Sequence, residues 1–119
     1  MTMSAQEIFT KVSTHLLTQR RRSQYPSGQC SYWIPESGLK CAVGCLIPDG
    51  HPALGSEGSV SFIMSEYSDL FELFGQNNIQ LLSTLQEIHD ARDPGSEWRG
   101  ELEYCAIRFG LEFTPPKET

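Results

Sequence analysis

Residues 4–17 read SAQEIFTKVSTHLL, and this stretch decides the class of fold. Ser4 and Glu7 stand in the S-x-x-E order of a capping box, so we expect a helix to begin near Ala5. Apolar residues then recur three and four positions apart, which is the spacing of one helix face. These residues are Ile8, Phe9, Val12, Leu16 and Leu17. The stretch therefore predicts an amphipathic helix that packs one stripe against a core.

Apolar residues also recur at helical spacing in the second half of the chain, where Gly75, Pro94 and Gly110 mark helix ends. Ser96 is the predicted cap of the last helix. Two short β-prone runs around the turn at 35–38 predict a hairpin at about residues 29–41, and the apolar run 42–47 predicts a short buried helix. We expect a mainly α fold, of α+β type with one small β-hairpin. We expect this fold to be a single compact helical domain of four to five helices over residues 1–111, followed by a flexible C-terminal tail at 112–119.

The composition excludes several classes of protein. The chain has 119 residues, and it contains no apolar run near the roughly 18 residues that a membrane span needs. The first residues lack the basic and apolar regions of a signal peptide, so we expect a soluble, cytoplasmic protein without membrane contact. No G-x-G-x-x-G, Walker-type or H-E-x-x-H pattern occurs, so a dinucleotide fold, a phosphate loop and a zincin site are not supported.

The net charge of −6 is distributed unevenly. Residues 1–48 contain two acids and five bases, whereas residues 49–119 contain thirteen acids and four bases. An acidic surface repels nucleic acid, so we expect no direct nucleic-acid binding. The same surface suits a basic protein partner, such as one that itself binds nucleic acid. The alternative is that the acids only keep a small protein soluble.

Four residues are candidates for protein binding: Glu97, Glu101, Glu103 and Trp33. Glu97 and Glu101 are four apart and share a helix face. Trp33 lies on the short hairpin and is the better surface candidate of the two tryptophans, because Trp98 fits the apolar stripe of its helix. We therefore expect Trp98 in the core and Trp33 at the surface.

The dense basic run Arg20, Arg21 and Arg22 follows the first helix. Cations at a helix C-terminus interact favourably with its dipole, which predicts a solvated helix end. The alternative is a binding site for a small anionic, nucleotide-like ligand, held by these three residues.

The four cysteines do not predict a disulfide framework, since a cytosolic chain keeps its thiols reduced. Cys30, Cys41, Cys45 and His51 form a weak candidate zinc set. There is no C-x-x-C pair, however, and reduced cysteines are usually buried. We therefore expect packing cysteines, no bound metal and no cofactor.

Three residues are weak catalytic candidates: Cys41, His89 and Asp90. Cys41 at a helix N-terminus could be a nucleophile if a histidine lay beside it. The His89-Asp90 doublet occurs in metal-dependent phosphohydrolases, which also need a separate His and Asp. Both features have structural alternatives, so the sequence leaves enzymatic activity open and favours a non-enzyme.

Residues 38–49 read GLKCAVGCLIPD, and residues 85–90 read LQEIHD. In these segments, together with His15-Leu16-Leu17, Cys30, Trp98 and Leu102, the chain resembles a group of short accessory proteins of tailed phages and their bacterial hosts. After Asp49 the chain has Gly50-His51-Pro52, where the group is expected to have an acidic residue and Tyr, so this loop is specialised.

The resemblance implies a phage or mobile-element accessory protein in the bacterial host cytoplasm. It implies that such a protein binds and inhibits or modulates a host protein, for example one of an anti-phage defence system such as CRISPR-Cas. The resemblance transfers no activity to individual residues. Two alternatives stay open: a small anionic-ligand-binding protein, and a Cys/His-dependent or metal-dependent enzyme. The oligomeric state is not predicted.

Overall fold

The predicted capping box begins the first helix. In the computed structural model, which describes residues 2–56 and 58–116, the Glu7 N–H donates to Ser4 Oγ at 3.1 Å and the Ser4 N–H donates to Glu7 Oε1 at 2.9 Å. Helix α1 spans Ala5–Gln19. It ends at Arg20, which has a left-handed backbone (φ 57°) and whose N–H donates to the Leu16 carbonyl. All five apolar residues of the predicted stripe are buried.

The hairpin is confirmed, and it is short. Strand β1 is Trp33–Ile34 and strand β2 is Leu39–Lys40, paired antiparallel with Trp33 opposite Lys40. Gly38 closes the turn with φ 75°, and its N–H donates to the Ile34 carbonyl at 2.8 Å. A further antiparallel bridge pairs Gln24 with Cys30. This bridge carries Cys30 alongside the hairpin.

Residues 42–47 were predicted as a short helix and form one 3₁₀ turn, Gly44–Leu46. A Cβ on Gly44 would lie 2.0 Å from the carbonyl oxygen of Tyr32, so only glycine fits at this contact. A second 3₁₀ turn is formed by Pro52–Gly55. The two turns flank the loop that follows the hairpin.

Four more helices complete the described part of the chain: α2 Val60–Glu66, α3 Ser68–Phe74, α4 Ile79–Ala91 and α5 Trp98–Phe109. Helix α1 packs against α4, α5 and the turn at 44–46, while α4 also contacts α2. Trp98, Phe9 and Phe74 are among the largest side chains in the shared core, so the prediction of a core Trp98 is confirmed. The mainly α fold with one small hairpin is confirmed as well. Among the described residues, no helix is long and apolar enough to cross a membrane.

The prediction that Ser96 caps α5 is wrong. Ser96 does not cap the helix, which begins two residues later at Trp98. Instead, Asp93 Oδ2 accepts hydrogen bonds from the backbone N–H groups of Gly95 and Ser96 and from the Ser96 hydroxyl. A carboxylate accepts more bonds than a hydroxyl can, which explains why Asp93 organises this turn.

Residues 112–116 belong to the predicted flexible tail, and in the structure Glu112 and Phe113 contact α1. The side chain of Gln6 exchanges two 2.9 Å hydrogen bonds with the backbone of Glu112. The Phe113 ring meets the edge of the Phe9 ring, with centroids 5.8 Å apart. Residues 117–119 lie outside the described part of the chain.

Candidate functional site

His89 lies fully buried near the C-terminal end of α4, and both ring nitrogens have partners. The backbone N–H of Ser23 donates to Nε2 at 2.9 Å, and Nδ1 lies 2.6 Å from Asp90 Oδ1. An amide N–H can only donate, so Nε2 carries a lone pair and the ring proton is on Nδ1. The Trp98 ring stacks on the imidazole at 5.6 Å. His89 is therefore a fixed donor to Asp90.

Asp90 is the point at which several segments meet. Gln86 Nε2 donates to Asp90 Oδ1 at 2.9 Å, and Gln86 Oε1 accepts the backbone N–H of Val43 at 3.1 Å. These bonds link the end of α4 to the turn after the hairpin. The side chain of Asp90 keeps 42% of its surface exposed. Its carboxylate is thus held rigidly while still facing solvent.

The thiol of Cys30 lies next to this carboxylate. Burial first, then the charge of Asp90 and a hydrogen bond to it, together raise the pKa of Cys30 to about 11, against a lowering effect of Arg22. A thiol that donates to a carboxylate remains protonated near neutral pH. Cys30 is therefore a hydrogen-bond donor at this site and a poor nucleophile.

Cys30, His89 and Asp90 offer ligand atoms within 4.8 Å of one another, the single such group found among residues 2–56 and 58–116. A metal on His89 Nδ1 would need that nitrogen's lone pair, which moves the ring proton to Nε2. Nε2–H and the Ser23 N–H would then be two donors facing each other, and the hydrogen bond between them would be lost. The histidine, as it is hydrogen-bonded, does not fit a metal.

The structure does not bring together the predicted zinc set of Cys30, Cys41, Cys45 and His51. Burial raises the pKa of Cys41 and of Cys45 to about 12 in each case. The Cys45 thiol donates to the Ala42 carbonyl, and the Gly44 N–H donates to Cys41 Sγ. Cys41, a weak candidate for a nucleophile, is thus a buried thiol, as expected for a packing cysteine, and His89 lies beside Cys30 and Asp90 instead.

His51 has a separate structural role. Its Nδ1 accepts the Ala53 N–H at 3.0 Å, so Nε2 carries the proton that is donated to Asp69 Oδ2 at 2.7 Å. This bond is the main cause that lowers the pKa of Asp69. The ring also packs edge-on against Tyr67, with centroids 5.1 Å apart. These contacts fasten the 50–56 loop to α3.

A cleft opens between the hairpin region and this loop, with a volume of about 350 Å³. Its walls include the rings of Tyr25, Trp33 and His51, with Pro35 and Pro52. A smaller cavity of about 130 Å³ adjoins it and shares Gln29, Cys30, Ser31 and Ser56 as lining. Asp90 and Gln86 line this inner cavity. Trp33, predicted as a surface contact, is half-buried in the wall of the cleft.

The three arginines of the basic run differ in their contacts. Arg20 Nε donates to the Leu17 carbonyl at 3.0 Å. Arg22 donates from Nε to the His89 carbonyl at 3.2 Å and from Nη2 to the Arg92 carbonyl at 2.6 Å. Arg21 is exposed. The three side chains therefore do not converge on one anion site, and Arg22 instead satisfies the C-terminal carbonyls of α4.

The predicted acidic contacts lie around the start of α5. Arg92 lies 4.0 Å from Glu97 and 3.6 Å from Glu101, so both charges are partly offset. Glu103 is exposed.

Sequence reasoning missed two neighbours of these acids, Tyr104 and Ile107, which are 64% and 73% exposed on α5. The sequence indicated this pair through their spacing of three residues on the polar side of the helix.

Comparisons with protein-family models, with curated proteins and with solved structures found no match. The resemblance to phage accessory proteins thus stays a prediction. The structure adds a physical link between the two segments that carry it, 38–49 and 85–90, because the Val43 N–H donates to Gln86. Much of this pattern forms core and hydrogen-bond network, and the exposed surfaces lie elsewhere.

Proposed function

We propose that this chain is a small accessory protein of the phage or mobile-element type that binds a host protein and inhibits or modulates it. The proposed target is a basic, nucleic-acid-binding component of an anti-phage defence system such as CRISPR-Cas, in the bacterial cytoplasm. The observation that carries the binding function is the exposed pair Tyr104 and Ile107 on α5.

These two side chains lie three residues apart and therefore share the outer face of α5. Grooves adjoin them on both sides. The groove beside Tyr104 contains Ile88 of α4 together with charged residues such as Glu87, and the groove beside Ile107 contains Phe113 together with charged residues such as Glu103. A tyrosine and an aliphatic residue exposed on one helix face, beside grooves of mixed polar and apolar character, suit a protein contact, and tyrosine is enriched among the residues that carry binding energy.

The charge pattern supports a basic partner. Residues 41–91 contain seven acids and no lysine or arginine. On α5 itself Arg92 offsets Glu97 and Glu101, so the apolar pair supplies most of the affinity there. The acidic surface then mainly accelerates association through long-range attraction.

The test begins with the immobilised protein in a lysate of a bacterial host, and any retained protein is purified for calorimetry. We expect the double variant Tyr104→Ala/Ile107→Ala to lose at least about tenfold in affinity. Phe62→Ala is the matched control, since Phe62 is also a half-exposed apolar residue but lies on α2. The proposal is wrong if no retained protein discriminates the double variant from the control.

The salt dependence tests the charge argument separately. Added salt should slow association with the purified partner, because exposed charges are screened over about 8 Å at physiological ionic strength. Exchanging Glu97, Glu101 and Glu103 for Gln should slow association with little change in dissociation. Equal association rates for this variant and wild type at low salt would contradict a basic partner.

A further inference from the structure

The cleft beside the hairpin is separate from the α5 contact surface and has the features of a ligand-binding site. Its outer part, about 350 Å³, is within the size range of small-ligand pockets. Trp33 and Tyr25 contribute aromatic surface to its walls, and Pro35 and Pro52 contribute apolar surface. The adjoining inner cavity ends at polar groups of Gln86 and Asp90. Apolar walls with a few convergent polar groups are characteristic of binding sites.

The electrostatics of the cleft favour a cation. Among the described residues that line the two cavities, Asp90 is the one with a carboxylate, and none is a lysine or arginine. Its donors His89, Gln86 and Cys30 hold the carboxylate in place with neutral groups. The positive charge of Arg22 lowers the pKa of Cys30. The Arg22 guanidinium itself is bonded to the carbonyls of His89 and Arg92 and lines neither cavity.

We propose that this cleft binds the guanidinium group of a ligand, with the Asp90 carboxylate as its counter-ion and the Trp33 and Tyr25 rings against its flat face or stem. A guanidinium donates its N–H groups to a carboxylate and stacks its flat face on aromatic rings. An ammonium would use the same charge but not the planar fit. The guanidinium has two possible sources, a free small compound and an arginine side chain of a protein.

The walls of the cleft are fixed before any ligand arrives. His51 ties the 50–56 loop to Asp69, and the Gln24–Cys30 bridge holds the opposite side. Asp90 cannot turn away without breaking its bonds to His89 and Gln86. A preformed site loses less conformational freedom on binding, which favours even a small ligand.

The first experiment is a titration with methylguanidinium, followed by nuclear magnetic resonance of the tryptophan indole N–H groups. The chain has two tryptophans, and the buried Trp98 serves as an internal reference for Trp33. We expect methylguanidinium to shift the Trp33 signal saturably, while N-methylurea, its neutral isostere, causes no saturable shift. Equal effects of the two probes, or no saturable shift with methylguanidinium, would overturn the proposal.

Variants provide the second arm. Asp90→Asn should weaken methylguanidinium binding at least tenfold, whereas Glu66→Gln, at an exposed acid on α2, should leave it unchanged. If Asp90→Asn does not keep the wild-type Trp98 signal, Trp33→Leu takes its place, with binding read from the backbone amides of residues 50–56. Unchanged affinity in a folded Asp90→Asn variant, or in Trp33→Leu, would overturn the proposal.

The source of the group is decided by comparing methylguanidinium with a blocked arginine peptide. Binding at least several-fold tighter for the peptide indicates an arginine side chain of a protein, and equal binding indicates a small guanidino compound. Both results support the guanidinium site. Neither depends on Tyr104 and Ile107, so this proposal and the α5 contact can fail independently.

Discussion

The backbone N–H of Ser23 donates a 2.9 Å hydrogen bond to Nε2 of His89, 66 residues further along the chain. This contact joins the segment after α1 to the end of α4, and it fixes which ring nitrogen carries the proton. His89 is thereby assigned to positioning Asp90. A histidine that had been a weak candidate for catalysis acts, in this geometry, as a buried structural donor.

The same contact predicts that zinc does not bind stoichiometrically. Coordination at His89 Nδ1 would set two donors, Nε2–H and the Ser23 N–H, against each other, which costs about 1–3 kcal/mol for the lost bond. Elemental analysis of protein purified without chelator should find far less than one zinc per chain. Zinc addition should not raise the melting temperature. About one zinc per chain, lost in His89→Gln, would contradict this.

Arg22 and Arg21 form a matched pair for testing the basic run. Arg22→Gln removes two hydrogen bonds to the carbonyls of His89 and Arg92, so we expect a loss of about 1–2 kcal/mol in the free energy of unfolding. Arg21→Gln changes an exposed residue and should stay within about 0.5 kcal/mol of wild type. Urea denaturation of both variants measures the difference. Equal stabilities would mean that Arg22 does not stabilise the end of α4.

Gly44 tests the packing of the 3₁₀ turn against the hairpin. A methyl group there would lie 2.0 Å from the Tyr32 carbonyl oxygen, a backbone atom that cannot move alone. Gly44→Ala should therefore cost about 3 kcal/mol of stability. Gly55→Ala is the control, because a Cβ at Gly55 meets no atom within 4 Å. Thermal unfolding should separate the two variants by several degrees, and similar melting temperatures would contradict the close contact.

His15 predicts how stability changes with pH. Burial lowers the pKa of His15, and the positive charges of Lys40 and Lys11 lower it further, against a bond to the Lys40 carbonyl that raises it. The unfolded chain then takes up a proton near its ordinary pKa of about 6.5, before the folded chain does. Stability should fall as pH decreases through that value and level off below the folded pKa.

The variant His15→Gln should flatten this step in stability between about pH 7 and pH 5.5. At lower pH another loss follows, because hydrogen bonds lower the pKa values of Glu7, Asp49, Asp69 and Asp93. Carboxylates with lowered pKa values stabilise the fold above their unfolded values and lose this contribution as pH falls. Urea titrations at several pH values measure both steps. An unchanged upper step in the variant would exclude His15 as its cause.

Thiol reactivity tests the arrangement around Cys30. Burial raises the pKa values of Cys30 and Cys105 to about 11 and those of Cys41 and Cys45 to about 12, so alkylation of the folded protein at pH 8 should be slow. Asp90→Asn removes the charge that raises the pKa of Cys30, and its alkylation should accelerate severalfold. Peptide mapping by mass spectrometry identifies the labelled residue. Glu87→Gln on the same helix is the control, and equal acceleration there would contradict a specific effect of Asp90.

The sequence predicted the local features well. The capping box of α1 involves residues only three apart, and the helix face follows from spacing alone, so the chain encodes both without reference to distant residues. The hairpin region and the burial of Trp98 were predictable for the same reason. The short turn at 44–46 was harder, because an apolar run of six residues does not distinguish helix from strand.

The cap before α5 was mispredicted because Ser96 bonds to Asp93 within the preceding turn, and the helix begins at Trp98 without a side-chain cap. The basic run also looked like one unit in the sequence. In the structure Arg20 bonds to Leu17 in its own helix, Arg21 is exposed, and Arg22 meets a helix end 67 residues away.

The sequence by itself determined the mainly helical class, the position of the hairpin and the residues that fill the core, because these depend on hydrophobic spacing and on bonds between near neighbours. Only the tertiary structure decided that Cys30, Gln86 and Asp90 share a cavity, that His89 orients Asp90, and that Tyr104 and Ile107 stay in water. Such contacts join residues far apart in the chain. They depend on how the helices pack together, which residue spacing does not specify.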